Sequence, residues 1–260
     1  MSKLYILVLL FVSYSVFSQE VNNDTTFFKL GNSKVIIING DSSSIKKADF
    51  RGHLVGFSLG LNMLNIKQSS DNNDEQINNQ VLDLNVAKSL EVNFDFIQHS
   101  FNLYKKHFGI VTGLGLKFNN YKFKNYYRII NTSDSIYAEE DTINNFYKTK
   151  LTITKIRIPL TFEWQNRVGR KHRLIFLSMG VFGSYNIVSY MKYNYKRDGN
   201  KIKEKKYENY QLNPFQYGLI FKFAYGALEV YAEYNLSEMF YSNKTVPVNQ
   251  FSIGLVLVDF

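Results

Sequence analysis

The stretch KIRIPLTFEW, residues 155–164, decides the fold of this chain. Ile156, Ile158, Leu160, Phe162 and Trp164 share one parity, and Lys155, Arg157, Thr161 and Glu163 occupy the other. Successive side chains of a strand point to opposite faces, whereas a helix groups its apolar residues every three or four positions. Strict alternation therefore reads as a strand. The run extends over 147–165, and seven others repeat its pattern, at 52–64, 90–104, 108–123, 173–195, 207–225, 227–240 and 248–260. In 108–123, Phe108, Ile110, Thr112, Leu114, Leu116 and Phe118 oppose Gly109, Gly113, Gly115, Lys117 and Asn119. In 90–104, Val92, Phe94 and Phe96 oppose Glu91, Asn93 and Asp95, and the phase slips near Ile97, where a bulge is expected.

The links alternate in length. Lys105-Lys106-His107, 166–172 and Gly226 are short, whereas 66–89, 128–146 and 196–206 are long and polar, and 242–247 is intermediate. Short turns at one end and long loops at the other are the layout of a membrane-spanning barrel. A soluble sandwich also alternates, but several runs here exceed the usual globular strand of about 5–6 residues. Their apolar faces hold aromatic residues over about ten positions, the length of a tilted membrane strand. Their polar faces carry charges that a sandwich core would not tolerate unpaired.

The expected architecture is thus all-β: an eight-stranded antiparallel transmembrane β-barrel, an up-and-down meander with a short N-terminal periplasmic segment. Its domains would be a signal peptide at 1–19, a periplasmic extension at 20–50 and the barrel at 51–260. An eight-stranded barrel is just wide enough for side chains to fill. Asp95, Lys117, Arg157, Glu163, Lys222, Glu229 and Glu233 are therefore expected to form a paired charge network in the lumen. For Arg157 the candidate partners are Glu163, Glu229 and Glu233. Tyr121, Tyr126, Tyr127, Tyr193, Tyr195 and Tyr207 would make an aromatic girdle at the long-loop end, and Trp164, Tyr104, Phe108 and Tyr225 one at the short-turn end.

Composition agrees. Aromatic residues make up 16% of the 260, with 22 Phe and 19 Tyr against only 3 Pro, which suits half-buried pleated strands. There is no cysteine, which excludes a disulfide framework, a thiolate zinc site, a thiol nucleophile and lipid attachment through an N-terminal Cys. Lys3 followed by LYILVLLFV (4–12) and SYSVFSQ (13–19) has the order of a cleavable signal peptide, and the apolar run is too short for a span of roughly 20 residues. No later apolar run approaches that length. The net charge of +9 leaves the exported chain basic.

Sites for chemistry are sparse. His53, His99, His107 and His172 show no metal-ligand spacing, and no metal or cofactor is expected. His99 and Ser100 are neighbours, so on a strand they would point apart unless a bulge realigned them. Asp71-Asn72-Asn73-Asp74-Glu75 has Gln76 where a calcium loop needs glycine and reads as a solvated loop. Gly113-Leu114-Gly115 follows no strand-to-helix switch, so it is no phosphate loop. The basic segment 192–206, interleaved with tyrosines, suits a phosphorylated lipid headgroup or water rather than nucleic acid.

FRGHLVGFSLGLN (50–62) and FGIVTGLGLKFNNYKF (108–123) resemble the PorT-like outer-membrane β-barrel family of Bacteroidetes, with Leu54 standing where that family usually has an aromatic residue. The resemblance implies an outer-membrane location and Phe260 as a terminal aromatic assembly signal. The partners expected are outer-membrane lipids and lipopolysaccharide, the barrel-assembly machinery and an envelope protein. Two function classes follow: a non-enzymatic structural or interaction barrel, or an enzyme acting on lipid A or small pore built on the same wall.

Overall fold

The computed structural model describes residues 25–30, 33–38, 50–66, 82–131, 136–139, 145–170, 172–197, 199–242 and 247–259. The signal-peptide stretch, the acidic loop 71–75 and Phe260 lie outside the described residues. The chain divides into two units, 1–47 and 48–260. The first contains an antiparallel hairpin, β1 (Thr25–Leu30) and β2 (Ser33–Ile38).

The second unit holds the alternating runs as strands β3 (Gly56–Ile66), β4 (Leu90–Tyr104), β5 (Phe108–Lys122), β6 (Arg128–Asn131), β7 (Ile136–Glu139), β8 (Asn145–Val168), β9 (Arg173–Arg197), β10 (Asn200–Tyr207), β11 (Phe215–Tyr225), β12 (Leu228–Asn235) and β13 (Val248–Asp259). Antiparallel pairing runs β9-β11-β12-β13-β3-β4-β5-β8, and β8 pairs back to β9. That is a closed ring of eight. β10 adds to the far end of β9 beyond the ring, and β6–β7 form a separate hairpin.

The faces are inverted relative to a protein folded for water. Ile158, Leu160 and Phe162 are 57%, 47% and 59% exposed, while Arg157 and Glu163 on either side of them are 2% and 1% exposed. Met179, Val181, Leu219, Phe221, Ile253 and Leu255 continue the apolar exterior on β9, β11 and β13. An apolar belt of this extent has to meet lipid.

Bulges account for where parity changes. On β4 the register shifts between Asp95 and Ile97, as the phase slip predicts, so Glu91, Asn93 and Asp95 are buried inside while the outward set becomes Ile97, His99 and Phe101. On β9 the pairing passes from Asn186 to Val188 and skips Ile187. Beyond it the odd positions turn inward. Tyr193 and Tyr195 are therefore buried, and Tyr121 of β5 joins them, so these three do not belong to an exterior girdle. Tyr126 and Tyr207 at the same end, and Tyr104, Phe108 and Tyr225 at the other, are exposed. On β13 a shift between Val256 and Val258 follows an outward set of Ile253, Leu255 and Leu257.

Several boundaries differ from expectation: β12 ends at Asn235 instead of reaching residue 240, and the link 128–146 contains the β6–β7 hairpin. The first barrel strand begins at Gly56, because residues 50–55 turn into the lumen instead of joining the wall. The link 196–206 is a hairpin turning at Gly199, whose φ of +79° suits glycine, rather than an irregular loop. Tyr207 ends β10, and the chain then turns through Tyr210 and Gln211, both at φ 51°, before β11 starts at Phe215. The ring closes where β13 meets β3, and there Gly254 faces Gly60. A Cβ on Gly254 would stand 2.3 Å from the Leu59 carbonyl oxygen, so the close approach requires glycine.

Candidate functional site

Charged residues of the inward parity meet at mid-height in the barrel. Arg157 Nη1 donates to Glu233 Oε1 at 2.5 Å, and its Nε stands 3.1 Å from Asp95 Oδ1. The second approach is an ion-pair contact without hydrogen-bond alignment, since both atoms lack a hydrogen-bond partner. Gly115 lies between Asp95 and Arg157 in the cross-strand row, and a Cβ there would come within 2.0 Å of Asp95 Oδ1. Glycine thus opens the gap through which the two charges meet.

Lys117 bridges Glu233 and Glu91, donating to the first and lying 3.1 Å from the second. Glu91 also accepts from Tyr231 at 3.0 Å, Asn93 at 2.9 Å and Asn119 at 2.9 Å. Lys155 donates to the side-chain oxygens of Gln216 at 2.5 Å and Gln250 at 2.7 Å. Glu91, Asp95 and Glu233 thus balance Lys117, Lys155 and Arg157. A buried ionic layer holds together only when its charges are matched and hydrogen-bonded, and this layer comes close to that condition.

The short-turn end is closed by the chain itself. Phe50 and Leu54 pack with Val111, and the Gln98 side chain accepts from Leu54 N–H at 2.7 Å while donating to the Gly52 carbonyl at 2.7 Å. His53 stacks on Phe176 with ring centroids 4.6 Å apart, and its Nδ1 lies 2.7 Å from Glu163 Oε1. Lys222 donates to the His53 carbonyl at 3.2 Å and stands 3.6 Å from Glu229.

The long-loop end is closed by apolar packing. Tyr121, Phe123, Phe146, Leu151, Ile153, Met191 and Tyr193 from the extended strands meet Leu82, Leu84, Leu212 and Phe240 from the connections. The Tyr193 hydroxyl accepts from Ile129 N–H at 3.1 Å, and the Arg128 guanidinium lies over the Tyr193 ring at 5.3 Å. Tyr210, in the turn between β10 and β11, is packed into the same cluster; it donates to the Lys206 carbonyl at 2.9 Å, and burial raises its phenol above the ordinary range.

The structure therefore brings Asp95, Lys117, Arg157 and Glu233 together, and Lys222 with Glu229. Glu163 pairs with His53 at another level rather than with Arg157. Glu91, Lys155 and Tyr231 complete the layer, and their inward parity was the available signal. His53 was read within the alternating run 52–64, but the segment carrying it precedes the strand, which starts at Gly56. His99 and Ser100 diverge: the imidazole lies against Phe101 at 4.5 Å, while Ser100 Oγ accepts from Gly52 N–H at 3.2 Å. Among the described residues, no group of three or more His, Cys, Asp or Glu is placed to hold a metal ion.

A closed eight-stranded ring with an apolar exterior and a neutralised ionic interior defines an integral membrane β-barrel. The chain belongs to the family described as outer membrane protein beta-barrel domain, which it matches over residues 17–241, and is an integral outer-membrane protein. Among curated proteins none matches this sequence. The crystal structure of Ail, the attachment invasion locus protein of Yersinia pestis, is similar at 11% identity and a TM-score of 0.30, over 78% of this chain and 98% of that one.

Proposed function

We propose that this protein is a non-enzymatic structural or interaction barrel of the PorT-like kind, with a sealed lumen and its recognition surfaces at the long-loop end. The reading rests on the stacking of three filled levels in one lumen: the 50–55 segment, the ionic layer and the apolar cap. Residues 1–19 serve as the cleaved leader, Phe260 as the assembly signal read by the barrel-assembly machinery, and the outer wall and loops contact lipopolysaccharide or an envelope partner. Refolded protein in planar bilayers should show no unit conductance steps, and deletion of 50–55 alone should not produce them, since two further levels remain. Steady channel openings from the intact protein would refute the sealed-lumen reading and favour a small pore.

The alternation of link lengths supports an orientation with the short turns in the periplasm. Because Gly169 and Gly199 sit at φ +73° and +79°, neighbouring residues are better labelling sites. Lys201→Cys should react with a membrane-impermeant maleimide on whole cells, and Arg170→Cys should react only after the outer membrane is permeabilised. The reverse pattern would invert the barrel.

A further inference from the structure

The outer wall carries a ladder of like charges. Lys122 of β5 is directly opposite Lys150 of β8, Lys150 opposite Lys192 of β9, and Lys192 opposite Lys205 of β10. Directly opposed residues share a face, and adjacent strands are about 4.7–4.9 Å apart, so the four stems span about 14 Å. One step further from the belt, Lys148 and Lys203 flank Asn194. Like charges directly opposite one another destabilise a sheet.

No carboxylate among the described residues pairs with these lysines. Glu204 occupies the other face of β10 and meets Arg128 at 3.4 Å, and the Lys150 ammonium donates to Asn120 Oδ1 at 2.7 Å. In this part of β8, beyond the apolar belt, partial burial and then Lys148, Lys192 and Lys205 depress the Lys150 ammonium below its ordinary value.

The ladder stands at a defined height. Along the outward face of β9, Met179, Val181, Tyr185 and Ile187 come first, then Tyr190, then Lys192. Tyr190 packs against Tyr207 at 5.0 Å, and Lys205 lies over its ring at 5.3 Å. Hydrocarbon, aromatic interface and cation is the order of layers a bilayer leaflet imposes.

We propose that this lysine ladder docks a phosphorylated lipid headgroup bearing at least two phosphates, that of lipid A in the leaflet facing the long loops. Lysine ammoniums are compact point charges suited to phosphate oxygens, and a single phosphate cannot reach across four strands. The position on the side of the wall, directly beyond the apolar belt, selects a lipid over a soluble polyanion. The inference rests on the orientation proposed above, which the cysteine labelling tests separately.

The test is native mass spectrometry of the full chain in micelles, offered bis-phosphorylated, mono-phosphorylated or dephosphorylated lipid A. Heat-modifiable gel migration confirms folding of each variant. The fourfold variant K122Q/K150Q/K192Q/K205Q should retain at least about tenfold less bis-phosphorylated lipid than wild type. The K122R/K150R/K192R/K205R variant should bind as wild type does, and K105Q/R170Q at the opposite end should be unchanged. Mono-phosphorylated lipid should bind more weakly and dephosphorylated lipid not at all. The proposal is overturned if the fourfold Gln variant binds like wild type, if K105Q/R170Q loses as much, or if dephosphorylated lipid binds equally. Displacement of the lipid by millimolar inorganic phosphate or by an oligonucleotide would equally overturn the commitment to a lipid.

Discussion

Arg157→Met is expected to lower the unfolding free energy in lipid by about 3–5 kcal/mol, the cost of leaving buried charge without its partner. The guanidinium serves both Asp95 and Glu233. Lys117 still reaches Glu233 in the variant, so the exposed debt falls on Asp95. Water cannot readily relieve it, because the 50–55 segment lies on one side and the apolar cap on the other. Denaturant titrations in lipid vesicles should show the loss, and D95N/R157M should recover more than half of it. A loss under about 1 kcal/mol would mean that water solvates the layer, contrary to burial.

The neighbouring residue provides the second large effect. Ile158 points outward with 57% of its surface exposed, so Ile158→Arg places a charge against hydrocarbon and should cost about 2–4 kcal/mol near the bilayer midplane. Ile158→Leu at the same position should be nearly silent. Consecutive residues thus carry opposite requirements: charge is needed at 157 and forbidden at 158. If both Arg157→Met and Ile158→Arg left stability in lipid unchanged, the facing of β8 would be wrong.

The same opposition explains what could be read in advance. A thin-walled barrel leaves no residue of a strand undecided between lipid and lumen, so Lys155 through Trp164 record both faces in ten letters. The bulge at Phe96 was legible because Phe96 and Ile97 are consecutive apolar residues on a strict alternation. The one at Ile187 was not, since Ile187 and Val188 are followed by Ser189 and a tyrosine-rich tract whose residues fit either face. Partners across the lumen depend on register, and no single strand contains that information. Glu163 lies six residues from Arg157 on the same strand, yet it faces a level where His53 has been threaded in. Residues 52–55 read as the opening of the first alternating run although they enter the lumen, and the β9–β10 hairpin is so rich in lysine that it reads as a polar loop until pairing is known.

The meeting of Gly60 with Gly254 has a consequence for the order in which the molecule is made. Every other ladder of the ring joins strands that follow one another around the meander, but this one joins partners nearly two hundred positions apart. Closing so long a loop is the slow, entropically costly step of assembly. Until it happens, β3 and β13 are open edges able to pair with a stranger. The hairpins can form locally and early, whereas the seam must wait for β13. Side-chain-free positions at that seam let the two edges come together without first clearing a methyl group from the path, so the kinetic vulnerability of this barrel is concentrated at its thinnest line.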